Sequence, residues 1–344
     1  MIRLLLTLLC LIAAPLAAQE AQTRFGAQNS AALLIRSTTD IAILAPAMEA
    51  FVARNPGVAI DYEQWGSNDL NALTAAECAN QSPRADAVFS SAVHQMVELV
   101  NSGCAAPYRS AQTASLPAER IWRDELWGLT HEAAVIIYNT RLVPPEDIPH
   151  TRFDLLDLMR RQDKRYPGRI ATYDIVASGL GYLFAFADSL EASTFGSLLE
   201  GFARSGAIAT CCSAEIIEGV SSGRYLIAYN VLGSYVDSNR AVDVGVIRPS
   251  DYTLFLSRGY MIPKGAPHPA LAGALLDFLL SAEGQAILTR SGLVTKRAPE
   301  ETSLPESAER PIRIDPVLLV ARDKQKREGF IARWRAAFGS PTLP

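Results

Sequence analysis

Two long extended segments constrain the fold of this 344-residue chain more than any other feature. Residues 127–138 and 253–262 are rich in β-forming side chains, and the first has no helix directly after it. Around these segments, short apolar strands alternate with amphipathic helices, which is typical of an α/β domain with a mostly parallel sheet. Two α/β blocks connected by two extended segments predict two lobes joined by a hinge.

The first block shows the alternation most clearly. Residues 32–36 predict a buried strand, and the apolar residues that follow recur at the spacing of one helix face. Residues 58–62 and 86–89 predict two further strands of the same sheet. The second block repeats the pattern, with strands predicted at 169–173 and 225–229. We find neither an internal repeat nor a low-complexity tract.

The charge balance argues against one large class of function. The chain has 32 basic and 36 acidic residues and a formal net charge of −4, whereas nucleic-acid-binding proteins usually carry a basic excess. With 49% hydrophobic residues the chain can bury a full core, and its length suggests two domains. The composition therefore predicts a globular protein that does not bind nucleic acid.

The first 18 residues have the pattern of an export signal. Arg3 precedes the apolar run 4–12, and the small residues of 13–18 offer a cleavage site. The run is about half of the ~20 residues that are needed to span a bilayer. We therefore expect a cleaved signal peptide at 1–18 and a protein of the periplasm.

Export favours disulfides between the remaining cysteines. Cys78 and Cys104 each lie near the end of a predicted helix and are expected to pair, which would contribute about 3 kcal/mol by closing the loop between them. Cys211 and Cys212 are adjacent, and the sequence leaves open whether they are bonded or free. No further Cys or His stands at ligand spacing around either group, so we expect no metal.

The common catalytic motifs are missing from the sequence. There is no G-x-S-x-G element, and His131 and Glu132 begin an H-E-x-x-H pattern that lacks its second histidine. Gly179 and Gly181 have Phe184 where the dinucleotide fingerprint needs its third glycine. We therefore expect a binding protein without a cofactor, with a periplasmic hydrolase as the enzymatic alternative.

Small hydroxyl residues follow two of the predicted strands and open the next helix. They come after residues 32–36 and after 86–89. In open α/β sheets, ligands bind at the carboxyl ends of strands, where helix N-termini present unpaired N–H groups. N-capping alone explains either segment taken singly. Their equivalent positions in one lobe favour a polar, anionic ligand.

Several short motifs occur in the order found in a known family. They are LIRSTTD at 34–40, F-x4-PGV at 51–58, DAVF at 86–89, WG at 127–128 with YNT at 138–140, YPGRI at 166–170, GY-x-IPKGAPHP at 259–269 and FLLS-x-EGQ at 278–285. In these motifs the chain resembles the extracellular solute-binding proteins of bacterial ABC transporters, in the branch that contains the ferric-ion-binding proteins.

The resemblance implies an α/β fold of the periplasmic-binding-protein type II. Two lobes, each with a mixed five-stranded sheet flanked by helices, would be joined by two crossover strands that act as the hinge. Lobe 1 would comprise 24–132 and 259–297, and lobe 2 would comprise 133–258. Residues 298–344 would form a helical segment packed on a lobe.

The same resemblance argues against iron. Ferric members carry an adjacent tyrosine pair after the strand that ends here near Asn230, whereas this chain has Val231 and Leu232. Tyr235 remains alone, as part of the cleft wall or of the core. The ligand implied is a small organic anion such as a sugar phosphate, a phosphoglycerate-like acid or a carboxylate, and ferric iron is the less favoured alternative.

The candidate ligand contacts come from both lobes. They are Ser37, Thr38, Thr39, Asp40, Trp65, Ser67, Ser90, Ser91, His131, Ser178, Gly179, Asn230 and Arg258. Among them, Arg258 is the fixed cation suited to a bidentate hold on phosphate or carboxylate. Three of these assignments have structural alternatives: Trp65 as a core residue, His131 as a structural histidine, and Arg258 as a surface charge.

Two functional roles would use the closed, ligand-bound state of the protein. The loaded protein would deliver its ligand to an ABC permease, or it would dock on the periplasmic domain of a sensor kinase and report the ligand. We expect a monomer in either case. The sequence of this chain alone does not separate the two roles, whereas a neighbouring gene for a permease or for a kinase would.

Overall fold

The computed structural model describes residues 19–161, 164–191, 193–238, 241–294 and 306–338. The predicted signal peptide at 1–18 lies outside them. The strands are β1 (Gln19–Phe25), β2 (Ala31–Ser37), β3 (Val58–Trp65), β4 (Ala87–Ser90), β5 (Ile121–Trp122), β6 (Leu126–Gly128), β7 (Glu132–Asn139), β8 (Ile170–Tyr173), β9 (Ile208–Thr210), β10 (Ile227–Leu232), β11 (Val244–Ile247), β12 (Thr253–Leu256), β13 (Gly259–Met261) and β14 (Glu309–Pro311). The α-helices are α1 (Ile41–Arg54), α2 (Ser67–Ala79), α3 (Val93–Asn101), α4 (Ala111–Ala114), α5 (Arg152–Arg160), α6 (Gly179–Glu191), α7 (Phe195–Ser205), α8 (Ser213–Ser221), α9 (Gly233–Ser238), α10 (Pro269–Leu280), α11 (Ala282–Arg290) and α12 (Lys324–Phe338).

Lobe 1 is built on a mixed sheet with the strand order β1-β3-β2-β4-β13-β6-β5. Strands β2, β3 and β4 run parallel, and β1 and β13 join them in antiparallel pairs. Leu33, Ile60 and Val88 of the parallel strands are almost completely buried. Such burial is expected where helices cover both faces of a parallel sheet.

Lobe 2 is built on a second mixed sheet, with the strand order β14-β12-β7-β10-β8-β9 and with β11 paired to β7. The predicted two-lobed α/β fold with mixed sheets is therefore confirmed. The predicted number of five strands per sheet is wrong, because each sheet has seven strands among the described residues. Strands of two to four residues, such as β5, β6 and β14, are too short to show an alternating pattern in the sequence.

The chain passes from one sheet to the other at residues 129–131 and returns at 257–258. Each extended segment predicted from the sequence is thus two strands separated by a short connection. The connections lie side by side: the N–H of Leu129 donates to the carbonyl of Arg258 (3.0 Å), and the Ser257 hydroxyl donates to the carbonyl of Thr130 (2.6 Å). In the described part of the chain from β1 to β13, these two connections are the only covalent links between the sheets, and we call them together the hinge.

The C-terminal segment, residues 306–338, contacts both lobes. Strand β14 extends the sheet of lobe 2 beside β12, and Phe330 and Trp334 of α12 pack on the aromatic rings of α7. The intervening 3-10 helix Pro316–Arg322 lies against α3 of lobe 1, where Arg322 pairs with Glu98 (2.6 Å). The segment therefore bridges the lobes, whereas the sequence predicted packing on one of them.

The lobe 1 sheet begins at Gln19, ahead of the predicted boundary at residue 24.

The described residues contain two disulfides. The predicted bond between Cys78 and Cys104 ties the last turn of α2 to the residues that follow α3. Cys211 and Cys212, whose state the sequence left open, are bonded to each other between β9 and α8.

None of the described helices is both long and apolar enough to cross a bilayer by itself. The pair α10 and α11 meets the length and composition criteria together but is bent by 68° at its break. Leu275, Leu276 and Leu279 of α10 are buried in the core.

Candidate functional site

A cavity of about 390 Å³ lies between the two lobes. Its volume falls within the range of small-molecule sites. Lobe 1 lines it with Glu20, Thr38, Asp40, Gln64, Trp65, Gly66, Ser67, Asp69 and Ser91. Lobe 2 lines it with Tyr173, Ala177, Ser178, Leu180, Cys211, Cys212, Ser213, Ala214 and Tyr235.

Strand ends and helix starts build this cavity. On lobe 1 it lies at the carboxyl ends of β2, β3 and β4, beside the first residues of α1 and α2. On lobe 2 it lies at the end of β8 and beside the starts of α6 and α8. The N-cap of α8 is Cys212, and no side-chain hydrogen bond caps this helix. Its first N–H groups therefore lie at the cavity without a capping side chain.

Part of the predicted set of ligand contacts lines the cavity. These residues are Thr38, Asp40, Trp65, Ser67, Ser91 and Ser178. Thr38 and Ser91 are linked across the strand ends, because the Ser91 N–H donates to the Thr38 hydroxyl (2.9 Å). Ser67 accepts a hydrogen bond from the N–H of Gly179 in lobe 2 (2.8 Å). The structure thus brings the predicted strand-end residues of both lobes together.

Other predicted contacts lie outside the cavity lining. The hydroxyls of Ser37 and Ser90 accept from the N–H groups of Thr39 and Ala92, so they close their own turns. The ring of His131 stacks on Phe255, with 4.4 Å between ring centroids. Gly179 does not line the cavity either, although its N–H donates to the hydroxyl of the lining residue Ser67.

Asn230 also lies away from the cavity, in the core of lobe 2. It is buried at a positive φ of 58°, and its side-chain amide donates to Asp188 (2.5 Å). Asp188 also accepts from Arg152 (3.2 Å) and from the hydroxyls of Tyr229 and Tyr252. This arrangement is a buried structural network of lobe 2.

The expectation that Arg258 holds the ligand is corrected by the structure. Its guanidinium is completely buried and donates to both carboxylate oxygens of Glu132, at 2.8 and 3.0 Å. A further N–H donates to the Thr39 hydroxyl (2.9 Å). Burial alone would lower the pKa of Arg258, but the charge of Glu132, the interaction with Tyr235 and the hydrogen bonds to both together hold this pKa above the usual value. Arg258 is therefore part of the hinge.

The cavity has an uneven charge distribution. The ionisable acids of its lining, Glu20, Asp40 and Asp69, all come from the lobe 1 side, and no Lys or Arg is among the described lining residues. Gln64 connects two of the acids, since its side-chain amide donates to Glu20 (3.0 Å) and to Asp40 (3.3 Å). The lobe 2 side has no Asp or Glu in its lining and presents the starts of α6 and α8.

Burial raises the pKa of the Asp40 carboxyl above its usual value, although the nearby charge of Arg258 opposes this effect. Folding therefore favours the protonated form of Asp40, and this carboxyl lowers stability increasingly as the pH rises through its folded pKa. We expect Asp40→Asn to raise the free energy of unfolding at pH 7. The gain over wild type should shrink as the pH falls towards 4.

Urea unfolding of both proteins between pH 4 and pH 7 measures this difference. Asp69→Asn is the matched control, because it removes an exposed carboxylate from the same cavity. A difference between Asp40→Asn and wild type that does not vary with pH would contradict the prediction.

Sequence reasoning missed several lining residues. Tyr173 and Ser213 lie at the end of β8 and at the start of α8, so the strand-end rule applied to lobe 2 would have found them. Glu20 lies on β1, which carried no recognised strand pattern. Cys211 and Cys212 were considered only for disulfide or metal chemistry, and no signal in the sequence placed them at the cavity.

The chain was compared with known families and structures. The family model described as bacterial extracellular solute-binding protein matches residues 36–286. The chain belongs to this family. Its members are binding proteins that act outside the cytoplasm, so this protein is a solute-binding protein and not an enzyme.

Solved structures agree with this assignment. The substrate-binding protein of an ABC transporter from Agrobacterium tumefaciens is 33% identical, covers 94% of this chain and 99% of that one, and has a TM-score of 0.86. The periplasmic binding protein AfuA from Actinobacillus pleuropneumoniae, with bound fructose-6-phosphate, is 17% identical with a TM-score of 0.69 over 90% and 98% of the two chains. Iron-bound HitA from Pseudomonas aeruginosa is 20% identical with a TM-score of 0.66 over 89% and 99%. The comparison with curated proteins gave no significant match.

The described residues contain no group of three or more His, Cys, Asp or Glu side chains that could hold a metal ion. HitA and this chain share a fold. At 20% sequence identity, this similarity does not show that the two proteins bind the same ligand.

Proposed function

We propose that this protein captures a small polar organic ligand with an anionic group between its lobes and delivers it to the permease of an ABC importer. Export by the signal peptide at 1–18 would place it in the periplasm. The observation that carries the proposal is the cavity itself, which both lobes line and which the hinge allows to open and close. A ligand that touches both lobes stabilises the closed state through its higher affinity for that state.

Direct contacts between the lobes support a closing motion. Asn68 of α2 donates to the carbonyls of residues Val176 and Ala177, which precede α6, at 2.9 Å each. Tyr235 of lobe 2 donates to Asp40 of lobe 1 (3.4 Å). These bonds join the lobes beside the cavity, so the lobes in this structure are already in contact.

The charge distribution of the lining favours the lobe 2 side for the anionic group. Two unit charges 4 Å apart repel each other by about 4 kcal/mol at an effective dielectric constant of 20, which disfavours an anion next to the ionised carboxylates of Glu20 and Asp69. The start of α8 offers N–H groups and the positive end of the helix dipole instead. We assign the anion to the residues Ser213 and Ala214 at this helix start.

The acids of lobe 1 then need hydrogen-bond donors on the other end of the ligand. Hydroxyl or ammonium groups satisfy carboxylate acceptors. A sugar phosphate, a phosphoglycerate-like acid or a hydroxylated carboxylate combines both ends in one small molecule. The fructose-6-phosphate bound to AfuA makes this compound the first probe to test.

A thermal-shift screen of the mature protein tests the proposal. The probes are fructose 6-phosphate, 3-phosphoglycerate, citrate and Fe³⁺. A ligand at 100 times its Kd should stabilise the protein by about 2.7 kcal/mol. A shift with Fe³⁺ alone would overturn the organic ligand class, and hydrolysis of a phosphoester by the purified protein would overturn the binding role.

A single substitution at the start of α8 should change anion binding and helix stability in opposite directions. Ala214 is exposed and is the second residue of α8. We expect Ala214→Asp to stabilise the helix start by about 0.3–1 kcal/mol while weakening the binding of the anionic probe at least about tenfold, because two like charges would meet. Unfolding experiments and isothermal titration calorimetry measure the two effects.

The matched control is Gly196→Asp. Gly196 is the second residue of α7, away from the cavity lining, and a Cβ atom at this position has no heavy atom within 4 Å. This variant should bind the probe like wild type. Unchanged affinity in Ala214→Asp would show that the anion lies elsewhere.

A further inference from the structure

We infer that the Cys211–Cys212 disulfide is a ligand-contacting element of the cavity, which takes the apolar face of the bound molecule. The inference rests on the proposed function and adds a specificity determinant to it. The ligand class that it selects is an organic anion with a carbon face, such as a sugar ring or a short carbon chain, rather than a bare inorganic anion.

The position of the bond points to the ligand. Both cysteines are exposed and both line the cavity between the lobes. They lie between the end of β9 and the start of α8, and Cys212 is the N-cap residue of that helix. The disulfide therefore lies directly beside the N–H groups that we assign to the anion.

Stability does not account for a bond at this position. A disulfide stabilises a fold mainly by closing a loop of the unfolded chain, and its effect grows with the number of residues in that loop. Cys78 and Cys104 are 26 positions apart, whereas Cys211 and Cys212 are adjacent. The vicinal bond thus restricts only the local backbone and the direction of the two sulfur atoms.

The chemistry of the bond suits a carbon face. Sulfur is polarisable and packs favourably against apolar groups, and a disulfide has no hydrogen to donate. Trp65 on lobe 1 and Leu180 on lobe 2 are further apolar side chains of the lining. Since the acids, amides and hydroxyls of the cavity bind the polar edges of a ligand, the sulfur pair provides a fixed contact for its carbon atoms.

The bond also fixes the helix start. Joining the two side chains holds the backbone of residues 211 and 212 in one conformation, and Cys212 leads directly into α8. Without the bond, the two side chains adopt separate rotamers and the contact surface is no longer rigid. A preformed surface binds more tightly because less conformational entropy is lost on binding.

The double variant Cys211→Ala/Cys212→Ala tests the inference by calorimetry with fructose 6-phosphate, 3-phosphoglycerate and citrate. Each probe that binds wild type should bind the variant at least about tenfold more weakly, while the melting temperature of the free protein stays unchanged. Cys78→Ala/Cys104→Ala is the matched control: its melting temperature should fall, but its affinity at a temperature where it is folded should equal that of wild type.

A second measurement does not depend on a variant. Alkylation of the unfolded, unreduced protein followed by mass analysis should find no free thiol at Cys211 or Cys212. Mild phosphine reduction that opens this bond and spares Cys78–Cys104 should weaken binding by the same factor as the double variant. Free thiols at these positions, or equal affinity with and without the bond, would overturn the inference alone. Failure of every organic probe to bind wild type would overturn the proposed ligand class, and the inference with it.

Discussion

Glu132→Gln is expected to lower the free energy of unfolding by about 3–5 kcal/mol, because it leaves the guanidinium of Arg258 buried without its counter-charge. Both side chains are completely buried. The carboxylate of Glu132 accepts hydrogen bonds from Arg258, from the Thr130 hydroxyl (2.7 Å) and from the Ser234 hydroxyl (2.6 Å). A glutamine would turn an amide N–H₂ group towards some of these donors. Urea unfolding at neutral pH measures the loss.

Two controls show whether the loss comes from the broken pair. The double variant Glu132→Leu/Arg258→Met removes both charges together and should recover most of the stability, since buried pairs are often replaceable by apolar residues of similar size. Asp61→Asn removes one partner of the more exposed Arg24–Asp61 pair and should cost less than about 1 kcal/mol. A Glu132→Gln variant as stable as Asp61→Asn would contradict the prediction.

The pair also lies at the hinge between the lobes. Glu132 begins β7 of lobe 2, Arg258 lies in the returning connection, and Arg258 also donates to Thr39 of lobe 1. The pair therefore connects the hinge to both lobes. We expect Glu132→Gln, where it is folded, to alter the affinity for ligand even though neither residue lines the cavity.

The fold could be predicted from sequence because its signals are long and regular. The alternation of apolar strands and amphipathic helices identified the α/β lobes, and the extended segments located the two crossings between them. The number of strands could not be predicted in the same way. Strands such as β5 and β11 are short or pair at a sheet edge, and their assignment depends on neighbours that are distant in sequence.

The candidate site was predictable only where local rules determine it. Ser67 and Ser91 line the cavity because they follow strands at the sheet edge where ligands bind. Arg258 shows the limit of such rules. An arginine side chain can bind the anionic group of a ligand or a buried carboxylate of the protein, and the sequence does not distinguish the two. Its partner, Glu132, is 126 positions away in sequence, and only the fold brings them together.

Cys78→Ala/Cys104→Ala is expected to lower the free energy of unfolding by about 3 kcal/mol, because the unfolded chain regains the freedom of the loop that the bond closes. Cys104 is buried and the bond ties α2 to the residues after α3, next to strand β13. Cys211→Ala/Cys212→Ala is the matched control, since it removes a bond that closes no loop of comparable size. Urea unfolding of both variants without reductant gives the comparison. Equal stability of the two double variants would contradict a stabilising role for Cys78–Cys104. It would also contradict the distinction between Cys78–Cys104, as a bond that stabilises the fold, and Cys211–Cys212, as a bond that lines the cavity.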